Sequence, residues 1–193
     1  MAVRRFTACV SAAVLVWAGV SAAARADTID EKAAVCSSCH GEKGVPTDKN
    51  IPIIWGQQEG YLYLQLRDFK KGARKNEIMN GIAESLEKDD MKELAAYFAA
   101  KPWPNLNQAS ASDADVLQAK TANSAVGCSA CHLDRFQGTG TVPRLSGQSH
   151  DYLAKTLAEF RSGERANNPG MTSLAQATPE PDLKAMEAYL AGL

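Results

Sequence analysis

Five residues, Cys36-Ser37-Ser38-Cys39-His40, return 92 positions further on as Cys128-Ser129-Ala130-Cys131-His132. Their surroundings return with them. Pro52-Ile53-Ile54-Trp55-Gly56-Gln57 pairs with Pro143-Arg144-Leu145-Ser146-Gly147-Gln148 at an offset of 91. Tyr61-Leu62 pairs with Tyr152-Leu153, and Phe69, Gly72 and Arg74 pair with Phe160, Gly163 and Arg165. The offset is 92 again for Met79 and Met171, Ala83 and Ala175, Asp90 and Asp182, and Ala96-Tyr97 and Ala188-Tyr189. One residue lost and one gained reads as insertion and deletion in surface loops. Each copy is about 80 residues, a size at which something besides side chains has to fill the core.

The duplication sets the domain organisation. Residues 27–101 form a first domain, 102–111 a linker marked by Pro102, Pro104 and a run of Asn and Ser, and 112–193 a second domain. Residues 1–26 stand apart: Arg4 and Arg5, an uncharged stretch from Phe6 to Ala24, then Ala24-Arg25-Ala26. This is a secretory signal with cleavage after Ala26; the alternative is an uncleaved anchor, since the uncharged run could nearly span a bilayer. Beyond Ala26 the chain keeps four cysteines, 18 basic and 22 acidic residues, a net charge of −4. No further segment is apolar enough for a membrane span. The expected product is an exported protein, periplasmic in a Gram-negative cell. Over the whole chain, 21 basic against 22 acidic residues argue against a nucleic-acid binder, and 45% hydrophobic with 22% charged residues argues for a globule rather than a disordered chain.

The class reads as all-α. Tyr61 to Phe69 lies in a helix that stops at Gly72, and its repeat partner runs from about Asp151 to Arg161 and stops at Gly163. Met91 to Ala100 is another helix, with Leu94, Tyr97 and Phe98 on its apolar side; its partner starts at Thr178 as N-cap with Pro179 at the first helical position. Thr28-x-x-Glu31 and Ser112-x-x-Asp115 read as capping boxes opening the two domains. No alternating strand pattern of useful length occurs.

Cys-x-x-Cys-His is the attachment signature of a c-type haem. Two thiols add across the porphyrin vinyl groups, and the adjacent histidine reaches the iron. A covalently held haem also supplies the missing core of so small a domain. The competing chemistries are a redox dithiol, which belongs near a βαβ pattern absent here, two structural disulfides, or a zinc site made from four Cys and two His. Two copies at the same position of a repeat favour two covalently attached haems, on Cys36, Cys39 and His40 and on Cys128, Cys131 and His132.

The sixth iron ligand is then another His or a Met. The remaining histidine, His150, corresponds to Glu59 in the first repeat and reads as a solvated residue near a helix start. Met91 and Met186 correspond to Leu183 and Leu94, positions that want only an apolar side chain. Met79 and Met171 correspond to each other, each 39 residues after its histidine and each expected in a loop between helices. They are the candidate distal ligands. With both axial positions filled, no substrate coordinates the iron, and one-electron transfer is the expected chemistry rather than haem catalysis. The carbonyls of Pro52 and Pro143 are candidate acceptors for the histidines' second ring nitrogen, the alternative being plain turn prolines. Arg74 and Arg165 either pair with haem propionates or are solvated. Tyr97 and Tyr189 are expected to pack their C-terminal helix on the helix entering each cysteine motif.

On these residues the chain resembles dihaem class I cytochromes c, most closely the cytochrome c4 family, over residues 28 to 193. The carrying elements are both Cys-x-x-Cys-His motifs, Pro-Arg-Leu-Ser-Gly-Gln at 143–148, the Tyr-Leu…Gln-Leu…Phe…Gly…Arg series at 61–74, and Met79 followed by Leu-Ala-Ala-Tyr-Phe at 94–98. The resemblance implies two tandem cytochrome c domains with facing haems. It implies a periplasmic carrier taking electrons from a donor dehydrogenase or cytochrome complex to an acceptor oxidase or reductase, with peripheral membrane association through those partners. The cytochrome subunit of flavocytochrome c sulfide dehydrogenase resembles the same template and is the alternative. Ile53-Ile54-Trp55 departs from the family's usual Pro-x-Leu-Ala/Ser before Gly-Gln, so packing beside the first haem is expected to differ. Glu77 stands where the second repeat has Pro169, and Glu42-Lys43 flanks the first motif where Leu133-Asp134 flanks the second, so unequal haem potentials are expected.

Overall fold

The computed structural model describes Met1 and residues 28–193; the leader and its cleavage point, with Cys9, lie outside the described residues. Domain 1 contains α1 (Ile29–His40), α2 (Glu59–Lys70), α3 (Glu77–Glu84) and α4 (Lys88–Ala99). Domain 2 contains α5 (Asp113–Val126), α6 (Cys128–His132), α7 (His150–Ser162), α8 (Pro169–Ala177) and α9 (Glu180–Ala191). Among the described residues the only β-type pairing is one isolated bridge, Thr139 with Val142.

The helices that open the two domains and lead to the cysteine motifs, α1 and α5, have their starts set by caps. Thr28 Oγ1 accepts from Glu31 N at 3.3 Å, while the Glu31 carboxylate accepts from Thr28 N at 2.7 Å, completing a capping box. Ser112 Oγ likewise accepts from Asp115 N at 3.1 Å. Asp115 turns its carboxylate to the Ser112 hydroxyl, 2.6 Å away, rather than to the backbone, so the expected second box is only half formed. α1 runs unbroken through Cys36 and Cys39 to His40, whereas in domain 2 a left-handed turn at Gly127 divides α5 from α6.

Two expectations about helix limits are corrected. Met79 and Met171 do not sit in loops: each is the third residue of a short helix, α3 or α8. Asn76 and Asn168 cap these helices, their side-chain oxygens accepting from Met79 N at 3.0 Å and Met171 N at 3.1 Å. A strong N-cap starts a helix where apolar periodicity alone does not. Thr178 does not cap α9; it closes α8, its hydroxyl donating to Leu174 O at 2.7 Å, and α9 begins after Pro179.

In each domain the helix that leads into or through the cysteine motif packs on the C-terminal helix, α1 on α4 and α5 on α9. α2 joins α3 and α4, as α7 joins α8 and α9. The cores are small: Ala33, Leu62, Leu94, Ala95 and Phe98 in domain 1, and Ala119, Ala122, Leu153, Met186 and Leu190 among the residues of domain 2. Tyr97 and Tyr189 pack against these clusters as expected, each edge-on to a phenylalanine, Phe98 or Phe136. Between α4 and α5 the chain carries no helix; Trp103 stacks under Arg144 at 4.5 Å, and Gln108 Nε2 donates to Gln148 O at 2.9 Å and Ala191 O at 3.2 Å. No helix among the described residues is long and apolar enough to cross a membrane.

Candidate functional site

His40 and His132 end their helices buried. His40 Nδ1 lies 2.8 Å from Pro52 O, and His132 Nδ1 lies 2.9 Å from Pro143 O. A carbonyl can only accept, so the ring proton sits on Nδ1 and the Nε2 lone pair is left free. Burial pulls both imidazoles below their ordinary range, only partly offset by the proline carbonyls, and the charge of Arg74 lowers His40 further. A neutral imidazole with one nitrogen oriented by a backbone acceptor is the form that binds a metal.

Cys36, Cys39, Cys128 and Cys131 are free thiols, none paired in a disulfide. Burial pushes the Cys36 thiol up to about 11 and raises Cys128 as well, the opposite of the low thiolate range of a redox dithiol. The cysteines and histidines form two separate groups, and no cluster of three or more metal-holding side chains assembles among the described residues. His150 stands exposed at the start of α7, with Nδ1 3.2 Å from Asp151 Oδ1.

One continuous cavity of about 550 Å³ takes in Cys36, Cys39, His40 and Met79 of domain 1 and Cys128, Cys131, His132 and Met171 of domain 2. Its lining is mainly apolar and includes Leu94 and Phe98 of domain 1 and Met186 and Leu190 of domain 2. All eight residues singled out from the sequence therefore face one space.

Between the two groups the cavity passes a polar seam. Arg74 Nη2 donates to the Tyr152 hydroxyl of domain 2 at 3.1 Å, and Arg165 Nη2 donates to the Tyr61 hydroxyl of domain 1 at 3.2 Å. The four residues are two repeat pairs, so the contacts are related by an approximate two-fold. Gln65 Oε1 accepts from Arg74 Nη1 and Arg165 Nη2, each at 3.1 Å, and from Asn167 Nδ2 at 3.2 Å; Asn167 also donates to Asp68 Oδ2 at 2.9 Å. The solvated alternative for Arg165 is thus corrected, since only 5% of it is exposed. Neither Arg74 nor Arg165 has a carboxylate partner in an ion pair among the described residues. Burial opposes ionisation of Tyr152, but the charges of Arg74 and Arg165 outweigh it and draw the phenol down to about 7. Burial, with Tyr152 beside it, pushes Tyr61 up.

Arg165 Nη1 is buried with no hydrogen-bond partner. An orphaned guanidinium donor costs about 1–3 kcal/mol or more, and a carboxylate beside the cavity would satisfy it. The residues present therefore fit a haem in each domain: a thiol pair, a neutral oriented imidazole, an apolar cavity, and beside it the buried Arg165 and half-buried Arg74, cations able to pair with propionates.

This inventory defines a class: a protein with two c-type haems in tandem all-α domains, built to carry electrons. No family model matches the chain. Cytochrome c4 of Pseudomonas aeruginosa is 36% identical over 173 residues, covering 84% of this chain and 85% of that protein. The crystal structure of reduced cytochrome c4 from Pseudomonas stutzeri superposes with a TM-score of 0.76 at 31% identity, covering 86% of this chain and 96% of that one. A thiosulfate dehydrogenase electron acceptor from Stutzerimonas stutzeri is 33% identical over 172 residues, covering 83% of this chain and 80% of that protein. The chain belongs to the cytochrome c4 family of dihaem electron-transfer proteins and carries two haems c; it works with redox partners and is not an enzyme in its own right.

Proposed function

We propose that the chain, divided as 27–101, 102–111 and 112–193, holds one haem per domain, with one histidine and one methionine as the side chains that would ligate each iron. Cys36 and Cys39 tether the first haem, with His40 and Met79 as axial ligands; Cys128 and Cys131 tether the second, with His132 and Met171. The observation that carries this reading is the single cavity lined by all eight residues. The bound iron supplies a one-electron couple. The protein does the rest: Pro52 and Pro143 orient the imidazoles, the soft thioethers favour the reduced metal and raise the potential, and Arg74 and Arg165 neutralise propionates in the seam.

In this reading the protein is exported, its leader removed after Ala26, and shuttles single electrons in the periplasm from a dehydrogenase or cytochrome complex to an oxidase or reductase. The similarity to proteins named thiosulfate dehydrogenase electron acceptors makes a thiosulfate dehydrogenase the first donor to test. It also favours a second reading, a haem-bearing subunit docked on such a dehydrogenase.

Carbon monoxide tests the ligation, because it needs an open position on reduced iron. The parent chain should bind none, Met79→Ala one equivalent at haem 1, and Met171→Ala one at haem 2. Uptake by the parent, or none by either variant, contradicts the assignment.

A further inference from the structure

The peptide group joining Pro52 to Ile53 is used at both ends. Its carbonyl accepts from His40 Nδ1 at 2.8 Å, and its N–H donates to Gln148 Oε1 of domain 2 at 2.8 Å. The peptide group joining Pro143 to Arg144 does the same in mirror sense: its carbonyl accepts from His132 Nδ1 at 2.9 Å, and its N–H donates to Gln57 Oε1 of domain 1 at 2.7 Å. Gln57 and Gln148 are repeat mates. Each also returns its amide N–H₂ to the same residue it grips, Gln148 to Ile53 O and Gln57 to Arg144 O, both at 3.0 Å. Each side-chain oxygen is pinned by the next N–H of its own chain, from Ser149 or Gln58, at 2.9 Å. The two glutamines are 2% and 4% exposed for Gln148 and Gln57. Gly147 and Gly56, at φ 72° and 65°, make the turn just before each of them.

We propose that Gln148 and Gln57 are positioning residues for the iron of the opposite domain: Gln148 acts on the haem of His40, and Gln57 on the haem of His132. The inference rests on histidine ligation as proposed above. Hydrogen bonds in a chain polarise one another. Accepting from the peptide N–H makes the same peptide's carbonyl a stronger acceptor, which pulls the imidazole Nδ1 proton and makes the ring a better donor to iron. A more basic imidazole favours the oxidised metal and lowers the potential, through the second-shell lever that sets haem potentials. Each potential is then partly written in the other domain, and the domain interface couples the two redox centres without a shared ligand.

The test uses the full chain with both haems, in a redox titration followed by haem methyl NMR signals assigned through each domain's own thioether cysteines. Gln148→Met should shift the reduction equilibrium of haem 1 about tenfold toward the reduced state, which for one electron is about 59 mV, with haem 2 unmoved. Gln57→Met should give the mirror image. Gln148→Glu, which keeps an acceptor oxygen for the Ile53 N–H, should leave haem 1 at or below its parent potential. Unchanged potentials, a shift in the substituted domain's own haem, or both haems moving together as undocked domains would, overturns the proposal. Loss of imidazole ligation in the parent, visible in its low-temperature EPR spectrum, overturns the underlying reading as well; crosswise silence in a parent with intact ligation overturns the proposal alone.

Discussion

Domain 1 and domain 2 leave their cysteine motifs by different routes and arrive at the same place. After His40 the chain turns at Gly41, φ 91°, where a Cβ would lie 1.9 Å from Val45 O. After His132 the equivalent position is Leu133, at φ 67° and ψ 168°, a region that non-glycine residues rarely occupy. The loop of domain 1 has eleven residues before Pro52, and that of domain 2 has ten before Pro143. Yet the histidine–proline bonds agree to 0.1 Å, at 2.8 and 2.9 Å. The end points agree although the paths between them differ in length and in backbone conformation. A second contrast lies beside the cavity mouth. Val35 and Ile78 line the cavity in domain 1, where domain 2 has Gly127 and Gly170. The linings of the two halves of the cavity therefore differ in shape although their proposed ligand sets match, and unequal haem potentials are the expected consequence.

The largest break of this comparison is Gly41→Ala. A side chain there meets backbone rather than a yielding neighbour, and the cost should be about 3 kcal/mol or more, combining overpacking and backbone strain. Denaturant unfolding of the holoprotein checks it; a loss below about 1 kcal/mol means the loop relaxes freely. Next in size is Asn167→Ala. It removes the donor that reaches Gln65 and the buried Asp68 across the seam, and about 1–3 kcal/mol should be lost. Domain 1 has one residue between Arg74 and Asn76 where domain 2 has two between Arg165 and Asn168, so this contact has no mirror. Leu133→Gly acts in the opposite direction and should stabilise the protein by about 1 kcal/mol by relieving the left-handed leucine; a fall in thermal midpoint contradicts the strain assignment.

The smallest effect is a pH dependence. Hydrogen bonds from Thr28 hold the Glu31 carboxyl below its ordinary 4.5. Its contribution to α1 is present above that value and lost as pH falls through the lowered folded value. The start of α1 should fray under mild acid before the rest of domain 1, as amide exchange at residues 29–32 would show.

Much of this was legible in the sequence because it is local. The Cys-x-x-Cys-His motifs, the helix stops at Gly72 and Gly163 and the Thr28 box depend on neighbours a few residues apart. The histidine–proline bonds were reachable from chemistry, since an iron-bound imidazole needs an acceptor and a proline carbonyl recurs at each site. What escaped depends on the other domain. Arg165 meets Tyr61 from 104 residues away, and Gln148 grips Ile53 from 95, so no window of sequence holds both partners. The extra residue near Arg165 read as a surface insertion, and instead the loop carries Asn167 into the seam. The helices bearing Met79 and Met171 escaped for a different reason. Their signal was the asparagine three positions earlier, a cap rather than an apolar stripe.

The central claim is that both irons carry a methionine sulfur opposite histidine. The direct measurement is the sulfur-to-iron charge-transfer band of the fully oxidised chain, its intensity set against total haem from a pyridine haemochrome assay. The account predicts two haems per chain and a band of two-haem intensity, halved in Met79→Ala and in Met171→Ala. A band of one-haem intensity or none in the parent, with both haems present, contradicts it.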